Sequence, residues 1–266
     1  MKQHAGFSLL EMIGVLAVMA IFAGALAPSV FQMIEEGYQG AEEQSMASVS
    51  EALKDYVQYN KEVPSLRNNA WTEAVADYAG YAPARVLSNE KNHQRRLYID
   101  PDFLSGTSER PGRGRRPYYE QDEGLDAAPS SPRILLVSSL DGPVRARIRN
   151  ASQFDDVWDQ AGGAPIVESK RLLIERINLA PLFKRVVLSN ASNNQVGYAL
   201  EDGREYSVAA ASGGGDGVRV IYVIAGTKLN LHADPYPGGG VFRQLIVDED
   251  VSLRYELGGA GWNWVG

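Results

Sequence analysis

The sequence predicts an α+β fold in which a long N-terminal helix packs on a head of mainly antiparallel β-strands. Residues 7–31 hold one charged residue, Glu11, in an otherwise uncharged and largely apolar run. Beyond that run Met46, Val49, Leu53, Tyr56 and Val57 recur at three- and four-residue spacing, with Glu42, Glu43, Glu51, Lys54 and Asp55 on the other faces. The helix therefore continues to about residue 59 with one apolar stripe. From residue 172 onward, short segments rich in β-branched and aromatic residues follow one another across turn-sized links, which makes antiparallel pairing the simplest solution. A sheet laid on the helical stripe buries one face of each.

The first run is long enough to cross a membrane. Its 25 positions make a helix of about 37 Å, against a bilayer core of about 30 Å. A cleaved secretory signal competes for the same residues, because Lys2 supplies a basic start and Ala25, Leu26 and Ala27 resemble a small-residue cleavage site. Two features oppose it: the run exceeds the usual ~7–15 apolar residues of a signal, and a cut after Ala27 leaves Pro28 as the first residue. A plain anchor explains the length but not Glu11. An acidic side chain costs about 2.5–3.5 kcal/mol at a bilayer centre, less toward the interface, so in a membrane helix it marks a partner or a function. The basic groups nearby in sequence are Lys2, His4 and the chain's amine, so a counter-charge comes from a new N-terminus or from another subunit.

Gly6-Phe7-Ser8-Leu9-Leu10-Glu11, behind a short basic leader that ends at Gly6, resembles the processing motif of type IV prepilins and of type II secretion pseudopilins. The resemblance implies that a prepilin peptidase cuts between Gly6 and Phe7, that Phe7 is N-methylated, and that Glu11 serves filament assembly by pairing with the amine of a neighbouring subunit. Pro28 falls where the family places a helix-kinking proline, and Gly14 matches a small residue frequent there. By the same resemblance the fold is pilin-like and the partners are the peptidase, other pilin or pseudopilin subunits, and inner-membrane lipid before assembly. The expected location is the bacterial inner membrane, single-pass, with the N-terminus cytoplasmic and the head periplasmic, and afterwards a pilus or periplasmic pseudopilus. The resemblance covers about the first 30 residues of 266.

The expected organisation is a leader at 1–6, a long helix at 7–60 with its membrane half at 7–31, and a head at 61–266 with a flexible insertion at 105–132. The residues beyond 60 suffice for a medium-sized core. The net charge of −7 gives no general case for nucleic-acid binding. The absence of cysteine removes disulfides, thiolate catalysis and Cys-ligated zinc, and is compatible with an oxidising compartment.

No stretch of the head carries catalytic chemistry of comparable specificity, and the chain is expected to be non-enzymatic, with no cofactor and no metal. Asp100 and Asp102 around Pro101 have the hard oxygens of a calcium site, though aspartate beside proline is ordinary turn chemistry. Arg110, Arg113, Arg115 and Arg116 beside Tyr118 and Tyr119 offer a phosphate-binding run, cancelled at once by Glu120, Asp122, Glu123 and Asp126. His4, His93 and His232 are scattered, and the glycine-rich run at 212–217 lacks the Lys-Ser/Thr of a phosphate loop. Glu168, Glu175, Glu201, Asp202 and Glu205 include possible carboxylate pairs that sequence alone does not bring together. Trp262 and Trp264 are read as packing over a sheet edge. Two other classes stay open at this point: a membrane-anchored periplasmic hydrolase or binding protein that shares this N-terminus, and a DNA-binding minor pilin using Arg113, Arg115 and Arg116.

Overall fold

The N-terminal helix α1 (Leu9–Asn60) is unbroken over 52 residues, about 78 Å at 1.5 Å per residue. The structure, a computed structural model, describes residues 9–104, 132–144, 148–159, 171–201, 205–233, 241–256 and 261–265. The chain divides into two units, Met1–Ser45 and Met46–Gly266, and the division falls inside α1. Helix α1 continues through Gly37 and Gly40, although glycine is a poor helix former. It stops where Lys61 turns into the left-handed region at φ 57°, with the Lys61 N–H closing on the Val57 carbonyl at 2.9 Å, a helix-ending geometry.

Within the second unit, Met46, Val49, Leu53 and Val57 are buried, which is the stripe the spacing predicts. They share one core with the strands. A short helix α2 (Ala70–Ala79) puts Trp71 and Val75 into that core and ends at Gly80, φ 69°. One further turn of helix, α3 (Pro83–Leu87), begins on a proline, whose fixed φ suits a first helical position.

Strands β1 (Arg96–Ile99), β2 (Arg133–Ser139) and β3 (Leu172–Asn178) form an antiparallel sheet in that order. Its register sets Leu97 opposite Leu136 and Val137 opposite Ile174. Strand β2 is covered on both sides. Ile134 and Leu136 face the main core, while Leu135 and Val137 pack with Phe154 and Val157 of helix α4 (Ala151–Asp159) in a second one. Double burial is why this strand reads as an uninterrupted apolar run.

The rest of the head is strands β4 (Phe183–Asn190), β5 (Val196–Leu200), β6 (Glu205–Val208), β7 (Gly217–Ile224), β8 (Thr227–His232), β9 (Val241–Val247), β10 (Val251–Glu256) and β11 (Gly261–Trp264). They make two four-stranded sheets, β11-β10-β4-β7 and β6-β5-β8-β9. All pairings are antiparallel except β4 with β10, where Val186 faces Val251 in parallel after the chain has made β5 to β9. The 212–217 run is a tight turn: Ser212 and Gly215 exchange backbone bonds at 3.0 and 3.1 Å, and Gly213 and Gly214 sit at φ 62° and 86°.

Gly217 opens β7 against a crossing backbone. A Cβ there would lie 2.0 Å from the Ala209 carbonyl oxygen, and backbone yields less readily than a side chain. Gly217→Ala is expected to destabilise the head by about 2 kcal/mol through overpacking, measured as a lowered midpoint in denaturant unfolding.

Candidate functional site

The membrane-length part of α1 is apolar around its whole circumference. Met12, Ile13, Val15, Leu16, Val18 and Met19 fall at every helical angle, and each is at least half exposed. None of the most apolar stretch is buried, and α1 is the one helix among the described residues long and apolar enough to cross a membrane. A helix apolar on all sides and covered on none has lipid, or other helices like itself, as its medium. Glu11 stands exposed in the first turn of the described helix, where the helix dipole favours a carboxylate.

Pro28 lies inside the helix, and its missing N–H removes a bond to the Gly24 carbonyl. Next to it, the Ser29 hydroxyl donates to the Leu26 carbonyl at 2.8 Å. Between residues 3 and 53 the chain contains no lysine or arginine, so every formal side-chain charge on this part of α1 is negative. Gly6 and Phe7 lie outside the described residues.

The other sequence candidates separate. Asp100 is fully buried and engaged: its carboxylate accepts the Asp102 N–H at 2.9 Å and pairs with Arg133 at 2.5 Å. Those oxygens serve a turn and an ion pair. Burial pushes the Asp100 carboxyl above its ordinary range, against the pull of the Asp102 amide and of Arg133. Trp262 is buried, its indole N–H donating to the His232 carbonyl at 3.0 Å, while Trp264 is exposed under the Arg243 guanidinium. Glu175 lies on β3, Glu201 follows β5 and Glu205 opens β6. The arginine run at 110–116, Glu168 and Asp202 fall outside the described residues.

One grouping was not foreseen. The end of α1, the β7–β8 turn and the residues flanking β5 and β9 enclose an open cleft of about 480 Å³ lined by Asp55, Gln58, Tyr59, Lys61, Tyr78, Glu201 and Asp248. Lys61 lies on its floor. Its ammonium donates to the Gln58 carbonyl at 2.6 Å and to the Ala225 carbonyl. Gly226, at φ 83°, makes room for it: a Cβ there would be 2.9 Å from Lys61 Nζ. Burial lowers the Lys61 pKa, opposed by the negative charges of Glu201 and Asp248. Asp55, Glu201 and Asp248 come from three separated parts of the chain, and no local pattern joins them.

Residues 1–27 match the prokaryotic N-terminal methylation motif. The N-terminus is of the type IV prepilin kind. No curated protein and no solved structure matches the chain. A prepilin-type N-terminus implies processing by a peptidase and assembly with other pilin-like subunits, and the apolar helix behind it is consistent with membrane anchoring.

Proposed function

We propose that the chain is a non-catalytic subunit of a type IV filament system, a minor pilin or pseudopilin. It is cut between Gly6 and Phe7, methylated on Phe7, held in the inner membrane by the first part of α1, and drawn from there into a helical stack. The carrying observation is the processing motif at residues 1–27 joined to a long helix apolar on every side. Lys2 ahead of the apolar run, with no lysine or arginine after it until Lys54, supports a cytoplasmic N-terminus and a head on the far side.

The charge pattern favours a minor component. Stacked copies of this helix would bring Glu35, Glu36 and Glu43 together with no helix-borne cation before Lys54. Neighbours of different sequence relieve that repulsion. The mature protein, isolated from the membrane of cells that hold a prepilin peptidase, is expected to begin at Phe7 with one added methyl on its amine. Intact mass and N-terminal peptide sequencing decide this; a chain that still begins at Met1, or one that begins at Pro28, overturns the reading.

A further inference from the structure

The cleft at the end of α1 has a lining whose hydrogen-bond inventory is lopsided. Asp55, Glu201 and Asp248 are exposed and carry six carboxylate oxygens, of which one on Glu201 accepts the Lys228 N–H at 3.5 Å. Donors are few. The Lys61 ammonium already spends two of its three protons on the Gln58 and Ala225 carbonyls, which leaves its third proton, the Gln58 amide and two phenolic hydroxyls. The carboxylates do not converge as a cation cage would require: among the described residues no three of His, Cys, Asp or Glu are grouped to hold a metal ion.

Beside the carboxylates stands an aromatic platform. Tyr59 is 74% exposed and Tyr78 42%, yet their rings are 5.7 Å apart and tilted by 43°. Tyr56 packs edge-on to Tyr78 at 6.1 Å and its hydroxyl donates to Glu62 at 3.0 Å, which holds the group from behind. Two large aromatic side chains left open to water next to exposed carboxylates form a surface that gains by being covered.

We propose that this cleft docks an arginine side chain of a neighbouring, non-identical filament subunit. A guanidinium carries five N–H donors and no acceptor, so it matches an acceptor-rich lining, and its flat face stacks on a tyrosine ring. The cleft opens beside Asp55, Gln58 and Tyr59 on the last turns of α1, the element that filament packing sets among other subunits. Helix α1 itself contains no arginine, so the α1 of a second copy does not supply the group; a product that joins residue 59 to the head of a second copy overturns the choice of a non-identical partner. The proposal rests on the filament reading above.

The test places a photo-cross-linking phenylalanine analogue at Tyr59 of the full chain, in cells that assemble filaments, and maps the product by peptide mass spectrometry after filaments are sheared off. The expected product joins residue 59 to a segment of another filament subunit that carries an arginine within a few residues of the attachment point. Joint substitution Asp55→Asn, Glu201→Gln and Asp248→Asn is expected to lower its yield about tenfold, the summed loss of exposed charge pairs and a stacked cation. All three positions are exposed, so the variant is expected to fold, and its cross-link yield is normalised to the amount of chain recovered in the filament fraction. Attachment to lipid, attachment to a segment without arginine, an unchanged yield in the neutralised variant, or a chain present in filaments but not cross-linked each overturns the docking proposal alone. A chain missing from the sheared fraction overturns the filament reading and the docking proposal with it.

Discussion

Glu11→Ala is expected to leave the chain inserted in the membrane and cut after Gly6, while removing it from filaments. Insertion is not the casualty, because deleting a carboxylate from an apolar helix makes the bilayer a better solvent for it. Cleavage depends on the residues around the scissile bond, and Glu11 lies five positions beyond Gly6 in the sequence. In the pairing that the prepilin resemblance implies, what is lost is the counter-charge for the amine of an adjoining subunit. Removing one partner of such a pair strands the other, and the filament-borne fraction is expected to fall at least about tenfold. Immunoblots of sheared filaments against the membrane fraction measure this. Glu11→Gln is expected to behave like the alanine variant, since shape is kept and only charge is removed. Unchanged incorporation of either variant sinks the pairing role.

The features that could be read in advance are the local ones. The processing motif occupies six adjacent positions, and the buried stripe Met46, Val49, Leu53 and Val57 follows directly from helical spacing. Strands such as β7 and β8 announce themselves by β-branched runs on either side of Ala225 and Gly226. Pairings set by distant chain are a different matter. Nothing near Val186 or Val251 predicts that they meet in parallel, because that geometry is fixed by where five intervening strands leave the chain. Strand β3 opens the β-rich half despite Glu175 and Arg176, which interrupt its apolar run; Arg176 is accommodated by donating to the carbonyls of Val157 and Trp158 at the end of α4. Strand β11 is four residues long, begins at Gly261 with φ 76°, and lies against the Phe242 ring where a Cβ would not fit. The cleft around Lys61 draws Asp55, Glu201 and Asp248 from three separated parts of the chain, and isolated surface carboxylates carry no mark in the sequence of lining one cleft.

Arg133→Ala is expected to be the costliest single change in the head outside its apolar core. The guanidinium pairs with Asp100 at 2.5 Å and with Asp155 at 2.6 Å, and lies over the rings of Phe154 and Trp158 at 5.4 and 5.2 Å. It therefore ties β2 to α4 and to the turn after β1. The two partners of the main pair are not equally placed. Arg133 is 19% exposed and Asp100 not at all. Burial lowers the arginine pKa, but bonds from Asp100 and Asp155 outweigh it, so that group is held above its ordinary value. For Asp100 burial wins and the carboxyl is raised.

Deleting the arginine leaves a buried carboxylate with no cation, which costs about 3 kcal/mol at neutral pH. The sign of the pH dependence follows. A carboxyl whose folded pKa is raised contributes its full stability below the unfolded value of about 3.9, and loses it as pH climbs through the folded value. Without Arg133 the folded value rises further, so the deficit of Arg133→Ala is expected to be small near pH 4 and to grow toward pH 7. Asp100→Asn removes the stranded charge and is expected to cost under about 1 kcal/mol on its own and to rescue most of the loss in the double variant. Denaturant unfolding of the full chain in detergent, followed by tryptophan fluorescence at both pH values, resolves the two contributions. A deficit equal at pH 4 and pH 7, or one that Asp100→Asn does not rescue, would assign the role of Arg133 to its packing on Phe154 and Trp158 and not to the buried carboxylate.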